Sequence, residues 1–391
     1  MTSSVIIAGA RTPIGRLLGA LSALSATDLG AVAIRGALSR SDVPAADVDA
    51  VIMGNVVQAG VGPNPARQAA VAGGIGFEVP ATTLNKLCLS GLAAIAYADQ
   101  LIRLGQHEVV VAGGFESMTN APHLVLGSRK GTKYGPARMV DALDQDALTC
   151  AFDGVAMGAA TERYQAQFGL SRQEQDEYAA RSHELAAAAA KDGRFEDEIV
   201  AVSSVKGELL LDRDEGVRPG STVESLSRLR PAFAKDGTIT AGNASQLSDG
   251  AAAVVVMSKD RARREGLTWL AEIGAHGTVA GPDPSLVVQP ANAIQDALRR
   301  DGALSVADLG LVEINEAFAG VALASLAQLD VPLEKVNVNG GAIAFGHPVG
   351  MSGARLVLTL AHELRRRGCG AGAAALCGGG GQGDALLLRV P

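Results

Sequence analysis

Two cysteines and one histidine sit in glycine-rich turns, each after an apolar run that reads as a strand. Cys88 lies in Asn85-Lys86-Leu87-Cys88-Leu89-Ser90-Gly91, His347 in Gly340-Gly341-Ala342-Ile343-Ala344-Phe345-Gly346-His347-Pro348, and Cys377 in Cys377-Gly378-Gly379-Gly380-Gly381-Gln382-Gly383. Small residues around each let backbone and substrate approach closely. A thiol paired with an imidazole is a nucleophile with a base, so the pattern points to sulfur or acyl chemistry. Cys88 precedes a predicted helix, whose positive end is expected to lower the thiol pKa and populate thiolate. A second thiol, Cys377, beside a first thiolate suits a proton acceptor and donor.

Other chemistries fit less well. The glycine run after Cys377 is no phosphate loop, because no Gly-Lys-Ser/Thr follows it. There is no Cys-x-x-Cys and no nearby paired histidine, so no metal site is expected. Asn315 ends a predicted strand, Leu311 to Ile314, where its amide could hold a water or face an oxyanion. It could equally cap a helix with Glu316 in the first turn.

The elements that position these residues follow from bulk properties and repetition. With 391 residues, 48% of them hydrophobic, the chain exceeds one ordinary core, so two domains are expected. Glycine is abundant, at 48 residues, and aromatics make up only 3%, as suits tightly packed α/β layers. A net charge of −7 argues against nucleic acid as a partner. No basic start leads into an apolar stretch, and no run reaches membrane-spanning length, so neither a signal peptide nor a membrane partner is expected. The cysteines at 88, 150, 369 and 377 lack framework spacing, which predicts free thiols in a reducing, cytoplasmic setting.

The second half echoes the first at an offset of roughly 260 residues. Val5 to Thr12 is matched by Leu270 to Gly277, and Asp47 to Asn55 by Asp308 to Asn315. Ser90-Gly91 and Ser352-Gly353 each open a helix, followed by apolar strands at Val109–Gly114 and Ala373–Gly379. Strands alternating with helices predict buried, largely parallel sheets covered on both faces. Residues 119–248 are richer in charge, serine and proline, and read as an insertion covering the site. They hold a strong helix from Ser171 to Ala190, with a capping box at Ser171 and Glu174. The expected organisation is an N-terminal half (1–118 plus 249–268), an inserted loop domain (119–248) and a C-terminal half (269–391).

Asn85 to Gly91, Gly242-Asn243-Ala244-Ser245, Asn315 to Ala319, Asn337 to Arg355 and Cys377 to Gly383 together resemble the thiolases, over about Val5 to Leu388. The acetyl-CoA acetyltransferase branch is the nearest in pattern. The resemblance implies a duplicated five-layer α-β-α-β-α fold with an inserted loop domain. It implies that Cys88 is the nucleophile, His347 its base and Cys377 the acid/base at the α-carbon. Asn315 would hold a water and, with His347, bind an enolate; backbone N–H groups of Cys88 and Gly379 would bind a tetrahedral oxyanion. Arg218, Ser225, Phe233, Ala241 and Ser245 fall where the family contacts coenzyme A, and Met157 at a pocket wall. The implied substrates are coenzyme A thioesters, with no permanently bound cofactor. A homo-oligomer, tetramer or dimer, is also implied, with Arg129-Lys130-Gly131-Thr132-Lys133 resembling a cationic tetramerisation loop. Two departures stand out. Ala156 replaces a common histidine and leaves chain-length preference open. Leu89 replaces a common glycine, so an altered turn is expected. The implied reaction is condensation of two acetyl-CoA, or cleavage of longer 3-ketoacyl-CoA; an inert acyl-CoA carrier of the same fold is the non-enzymatic alternative.

Overall fold

The computed structural model describes residues 3–390. Nine strands carry the main sheet. They are β1 (Ser4–Arg11), β2 (Ala50–Gly54), β3 (Ala81–Leu84), β4 (Val109–Ser117), β5 (Ser248–Ser258), β6 (Ala271–Ala280), β7 (Leu311–Ile314), β8 (Ala371–Gly378) and β9 (Gln382–Arg389). Their order is β7-β8-β9-β6-β1-β5-β4-β2-β3, with the short strand Gly15–Arg16 added on β5. Read outward from the centre, the first half runs β1-β5-β4-β2-β3. The second runs β6-β9-β8-β7, extended by a parallel bridge from Val312 to Val336. The two orders correspond strand for strand. The halves join where β1 pairs antiparallel with β6, and there Ile6 faces Ala271, its own counterpart in the duplication.

The sheet is mixed rather than largely parallel. Only β2–β3, β2–β4 and β7–β8 are parallel, and every pairing from β4 through the centre to β8 is antiparallel. The reason lies in the connections. β8 returns as β9 through a tight glycine turn, too short for the crossover that a parallel neighbour requires, whereas β5 returns beside β4 only after the long excursion of residues 118–247.

Eight helices matter for the site: α1 (Ala26–Ser41), α2 (Pro65–Ala72), α3 (Ser90–Arg103), α4 (Met157–Gln165), α5 (Arg172–Lys191), α6 (Gln289–Asp301), α7 (Ala319–Leu329) and α8 (Ser352–Arg367). Strand residues divide by parity. Val110, Ala112, Val254 and Val256 face an inner core shared with α3 and α8, whereas Val109, Val111, Ala253 and Val255 face an outer core with α1 and α2. In the second half Ala374, Leu376, Leu386 and Leu388 face the inner core, and Ala373, Ala375, Ala385 and Leu387 face α6 and α7. Both sheet faces are therefore buried, and the layers are α-β-α-β-α.

Helix ends follow local chemistry. α5 starts on a reciprocal box in which Ser171 Oγ accepts from the Glu174 amide and Glu174 Oε2 accepts from the Ser171 amide at 2.8 Å. α8 ends with three arginines and Gly368 in the left-handed region, at φ 66°. α5, from the first half's excursion, docks on the second half. Tyr178 Oη and Ser182 Oγ donate to the two Glu316 carboxylate oxygens at 3.1 and 2.6 Å.

The inner helices meet by their first turns. A methyl group at Gly91 would lie 2.8 Å from the Ala354 nitrogen, and one at Gly353 would lie 2.4 Å from the Leu92 nitrogen. These contacts are images of each other under the duplication. Because backbone, not flexible side chain, stands in the way, Gly353→Ala is expected to cost about 1–3 kcal/mol or more. Urea unfolding measures this; an unchanged midpoint would contradict the close approach.

Candidate active site

The turn carrying Cys88 is built from local hydrogen bonds. Ser90 Oγ accepts from the Lys86 amide at 2.8 Å and donates to the Leu87 carbonyl at 2.6 Å. The Leu87 amide donates to Asn85 Oδ1 at 3.0 Å. Leu87 itself takes φ +52°, an uncommon conformation for a residue with a Cβ. Leu89 does not distort the turn: its φ of −78° and ψ of −13° are ordinary helix-entry values. Its side chain is fully buried, over Gly378, where a methyl group would come within 2.6 Å of Leu89 Cγ.

His347 stands in a turn that the first half receives. The His347 amide donates to the Gln246 carbonyl at 3.0 Å. The Gly350 carbonyl then enters a gap lined by Gly54, Gly91 and Gly114; a methyl group at Gly114 would lie 1.9 Å from that oxygen. Ser352 Oγ donates its single proton to the Pro348 carbonyl at 2.9 Å, so it accepts from His347 Nδ1 at 2.6 Å. That leaves Nε2 as the basic nitrogen. Asn315 Nδ2 lies 3.3 Å from Nε2 and 3.5 Å from Nδ1, so its amide spans the ring edge. Asn315 Oδ1 is buried without a hydrogen-bond partner among the described residues. Asn315 does not cap α7, which begins at Ala319 with Phe318 as its cap.

Cys377 is the next-to-last residue of β8, opposite Gly383 on β9. Gly379 follows in the turn, where a methyl group would meet Met157 Cε at 2.4 Å and Leu87 Cδ1 at 2.7 Å. The backbones of Cys88 and Gly379, one from each half, favour the Cys88 anion. They do not win. Burial pushes the Cys88 thiol up to about 12, and the Glu116 charge adds to it. The expected depression by the helix end is thus overturned in the resting molecule, because desolvation exceeds the gain from those backbones. Burial, then the nearness of Cys88, pushes the Cys377 thiol up as well. Burial pulls His347 down to about 3, helped by the Arg355 charge. Thiols and imidazole are all neutral at rest.

A pocket of about 210 Å³ opens at this point, lined by Met118, Leu148, Ala156, Met157, Phe233, Ser245, Phe318, His347 and Val349 among others. Cys88 packs against the apolar cluster that holds Met118 and Val349, and Cys377 belongs to the one that holds Phe318 and abuts Met157 and Ala244. His347 lines this pocket, and each thiol belongs to an apolar cluster that supplies part of its wall. Of the sequence-predicted binding residues, Phe233, Ser245 and Met157 line it, with Phe233 edge-on to Phe318 at 6.2 Å. Arg218, Ser225 and Ala241 lie outside it on the exposed surface. Arg218 is linked to it through Gln246, whose Oε1 accepts at 3.3 Å, whereas Ser225 Oγ is used within its own helix cap. Residues 125–139, which include the cationic loop, are exposed. No group of three or more metal-ligating side chains, and no helix long and apolar enough to cross a membrane, occurs among the described residues.

Comparison with known proteins now bears on this geometry. Residues 4–260 match the family described as thiolase, N-terminal domain, and residues 267–390 match thiolase, C-terminal domain. The chain belongs to the thiolase family. Its relatives include a probable acetyl-CoA acetyltransferase of Mycobacterium leprae, 61% identical with 100% of both chains covered. An acetyl-CoA acetyltransferase of Pseudomonas aeruginosa is 48% identical with 99% of each covered. A probable acetyl-CoA acyltransferase of Staphylococcus aureus is 47% identical with 99% of each covered.

Sequence reasoning missed two parts of this thiolase site. Ser352, which fixes the His347 tautomer, was visible only as a helix start. Glu116 is fully buried and accepts from Asn55 Nδ2, from the Val56 and Val57 amides and, across the halves, from the Gly350 amide at 3.0 Å. Burial raises it to about 7, against the pull of those amides. Its only sequence signal was an acidic residue inside an apolar strand.

The His347 shift predicts a pH dependence. The unfolded imidazole takes a proton near its ordinary 6.5, the folded one only near 3. Stability from this group is full above about 6.5 and is lost as pH falls toward about 3, because only the unfolded chain binds the proton there. Urea midpoints across that window should fall less steeply for His347→Gln than for the parent protein; equal slopes would contradict a buried neutral imidazole.

Proposed function

We propose that this chain is an acyltransferase that condenses two acetyl-CoA into acetoacetyl-CoA and coenzyme A, and runs the reverse thiolysis. The observation that carries the reading is the pairing of Asn315 and Ser352 on His347 at the wall of the pocket, with the Cys88 and Gly379 backbones, one from each half, favouring the Cys88 anion. A preorganised donor typically contributes about 2.7–4 kcal/mol to a barrier when charge develops on its partner. Family membership and the names of the relatives support the same reading.

In this mechanism His347 Nε2 takes the Cys88 proton, and the thiolate attacks the acetyl carbonyl carbon. The oxyanion is held by the Cys88 and Gly379 amides; its collapse breaks the bond to coenzyme A, whose sulfur leaves with the proton from His347. His347, neutral again, takes the Cys377 proton, and a second acetyl-CoA loses an α-proton to the Cys377 thiolate so formed. Its enolate oxygen is met by His347 and by a water on Asn315, a role for which the unpaired Asn315 Oδ1 is suited. The carbanion attacks the acetyl-Cys88 carbonyl, the new C–C bond forms as the acyl–sulfur bond breaks, and the Cys88 thiolate takes the proton held on His347. A thioester α-carbon is much less acidic than a thiol, so the step depends on enolate stabilisation rather than on the strength of the base. Phe233, Ser245 and Met157 would contact the pantetheine arm, and Arg218, Ser225 and Ala241 the outer coenzyme. The inserted segment 119–248 would thus supply most of the binding surface, in a homo-oligomeric, cytoplasmic enzyme of lipid metabolism.

A second reading is supported by Ala156. With Met118, Leu148, Phe318 and Val349 it leaves the pocket apolar and without a bulky side chain at that wall, which suits cleavage of longer 3-ketoacyl-CoA.

Brief incubation with acetyl-CoA should add one acetyl group at Cys88 by mass spectrometry. Cys88→Ala should lose adduct and turnover together; normal turnover would refute the nucleophile. Cys377→Ala should still acetylate but condense about 10²–10⁴-fold more slowly, and an unchanged rate would assign the base elsewhere. The ratio kcat/KM should be higher for acetoacetyl-CoA than for longer 3-ketoacyl-CoA; the opposite order would favour the second reading.

A further inference from the structure

The Cys88 turn is anchored to the opposite half by a half-buried ion pair. Lys86 stands two residues before Cys88, and its Nζ donates to both oxygens of Asp384 at 2.8 and 2.9 Å and to Thr278 Oγ1 at 3.1 Å. The Asp384 side chain is 0% exposed and that of Lys86 20%. Asp384 lies on β9, one residue after Gly383, which pairs directly with Cys377. His276 Nε2 stands 3.6 Å from the same carboxylate. The chain from the nucleophilic sulfur to the second thiol is therefore short: Cys88, Leu87, Lys86, then Asp384, Gly383 and across one β-pair to Cys377.

We propose that the Lys86–Asp384 pair is a positioning device that sets the separation of Cys88 from Cys377 and so serves the carbon–carbon bond-forming half-reaction. The proposal rests on the thiolase reading given above. Three observations support it. The pair crosses from one half to the other, whereas the hydrogen bonds of the Ser90 clasp lie wholly within the first half. The turn it holds contains Leu87 at φ +52°, a conformation that persists only where surrounding contacts enforce it. Apolar contacts of Leu89 on Gly378 and Leu87 beside Gly379 press the halves together, but such contacts are non-directional, whereas a cation on both oxygens of one carboxylate fixes a direction.

The two half-reactions separate positioning from general damage. Acetylation needs Cys88, His347 and the amides; condensation also needs Cys377 at the right distance. Lys86→Met and Asp384→Asn are each expected to acetylate Cys88 within about threefold of the parent rate. Each should condense roughly 10²-fold more slowly, the scale of a misplacement near 1 Å. The double variant should be no slower than either single, since both remove one interaction, and Lys86→Arg should recover most of the rate. Rapid-quench mass spectrometry follows the first step and acetoacetyl-CoA formation the second, with urea midpoints identifying any variant that fails to fold. Asp384→Asn leaves a partly exposed lysine rather than a buried unpaired carboxylate, so it stays informative if Lys86→Met does not fold. Parental condensation in Asp384→Asn, equal losses in both half-reactions, or multiplying losses in the double variant would overturn the proposal. Absence of acetyl-Cys88 in the parent protein would instead overturn the thiolase mechanism on which the proposal stands.

Discussion

Backbone meets backbone between the two halves, and the rest of the molecule is arranged around that contact. The Gly350 carbonyl of the second half enters a gap formed by Gly54, Gly91 and Gly114 of the first, while Gly353 abuts the Leu92 nitrogen. Contacts of this kind have no side-chain freedom to absorb error. Protein interiors are close-packed and transmit small displacements rather than cushioning them. The turns bearing Cys88 and His347 are thereby fixed against each other by main-chain geometry. Duplication explains how such a fit arises: the same strand-turn-helix unit supplies both partners, and the pseudo-dyad runs where Ile6 faces Ala271.

Electrostatics follows from that enclosure. Burial raises the thiols and lowers the imidazole, so the resting site is neutral and one proton transfer away from a thiolate–imidazolium pair. The backbones of Cys88 and Gly379 favour the thiolate, and in low dielectric such dipoles act more strongly than they would in water. Glu116 opposes the thiolate, yet it ties the Val56 and Val57 amides to Gly350. Its carboxylate therefore links the halves at the cost of a less ionised sulfur.

Much of this was legible in the residues. The repeat of Ser90-Gly91 at Ser352-Gly353 located both inner helices, and Ser171 with Glu174 located the start of α5 within one residue. The three reactive positions were marked by glycine turns after apolar strands, a pattern that survives because strand ends and close approaches constrain residue type. Strand direction was not legible: alternation of helix and strand says nothing of the glycine hairpin from β8 to β9, which makes the centre antiparallel. The ionisation of Cys88 was misjudged because helix position is local, whereas desolvation depends on everything packed around the sulfur. Leu89 was expected to disturb the turn and instead fills the space above Gly378. Lys86 and Asp384 were invisible as partners, since an ion pair across nearly three hundred residues leaves no spacing signature, and the main-chain amides that Glu116 binds carry no residue signal at all.

The central claim is that two turns from different halves present two sulfurs to one cavity. Treatment of the native protein with a short bis-alkylating thiol reagent, followed by peptide mapping, tests it directly. The account predicts a bridge within one chain between the peptides of Cys88 and Cys377. Separate single alkylation of the two cysteines, with no bridged peptide, would contradict it.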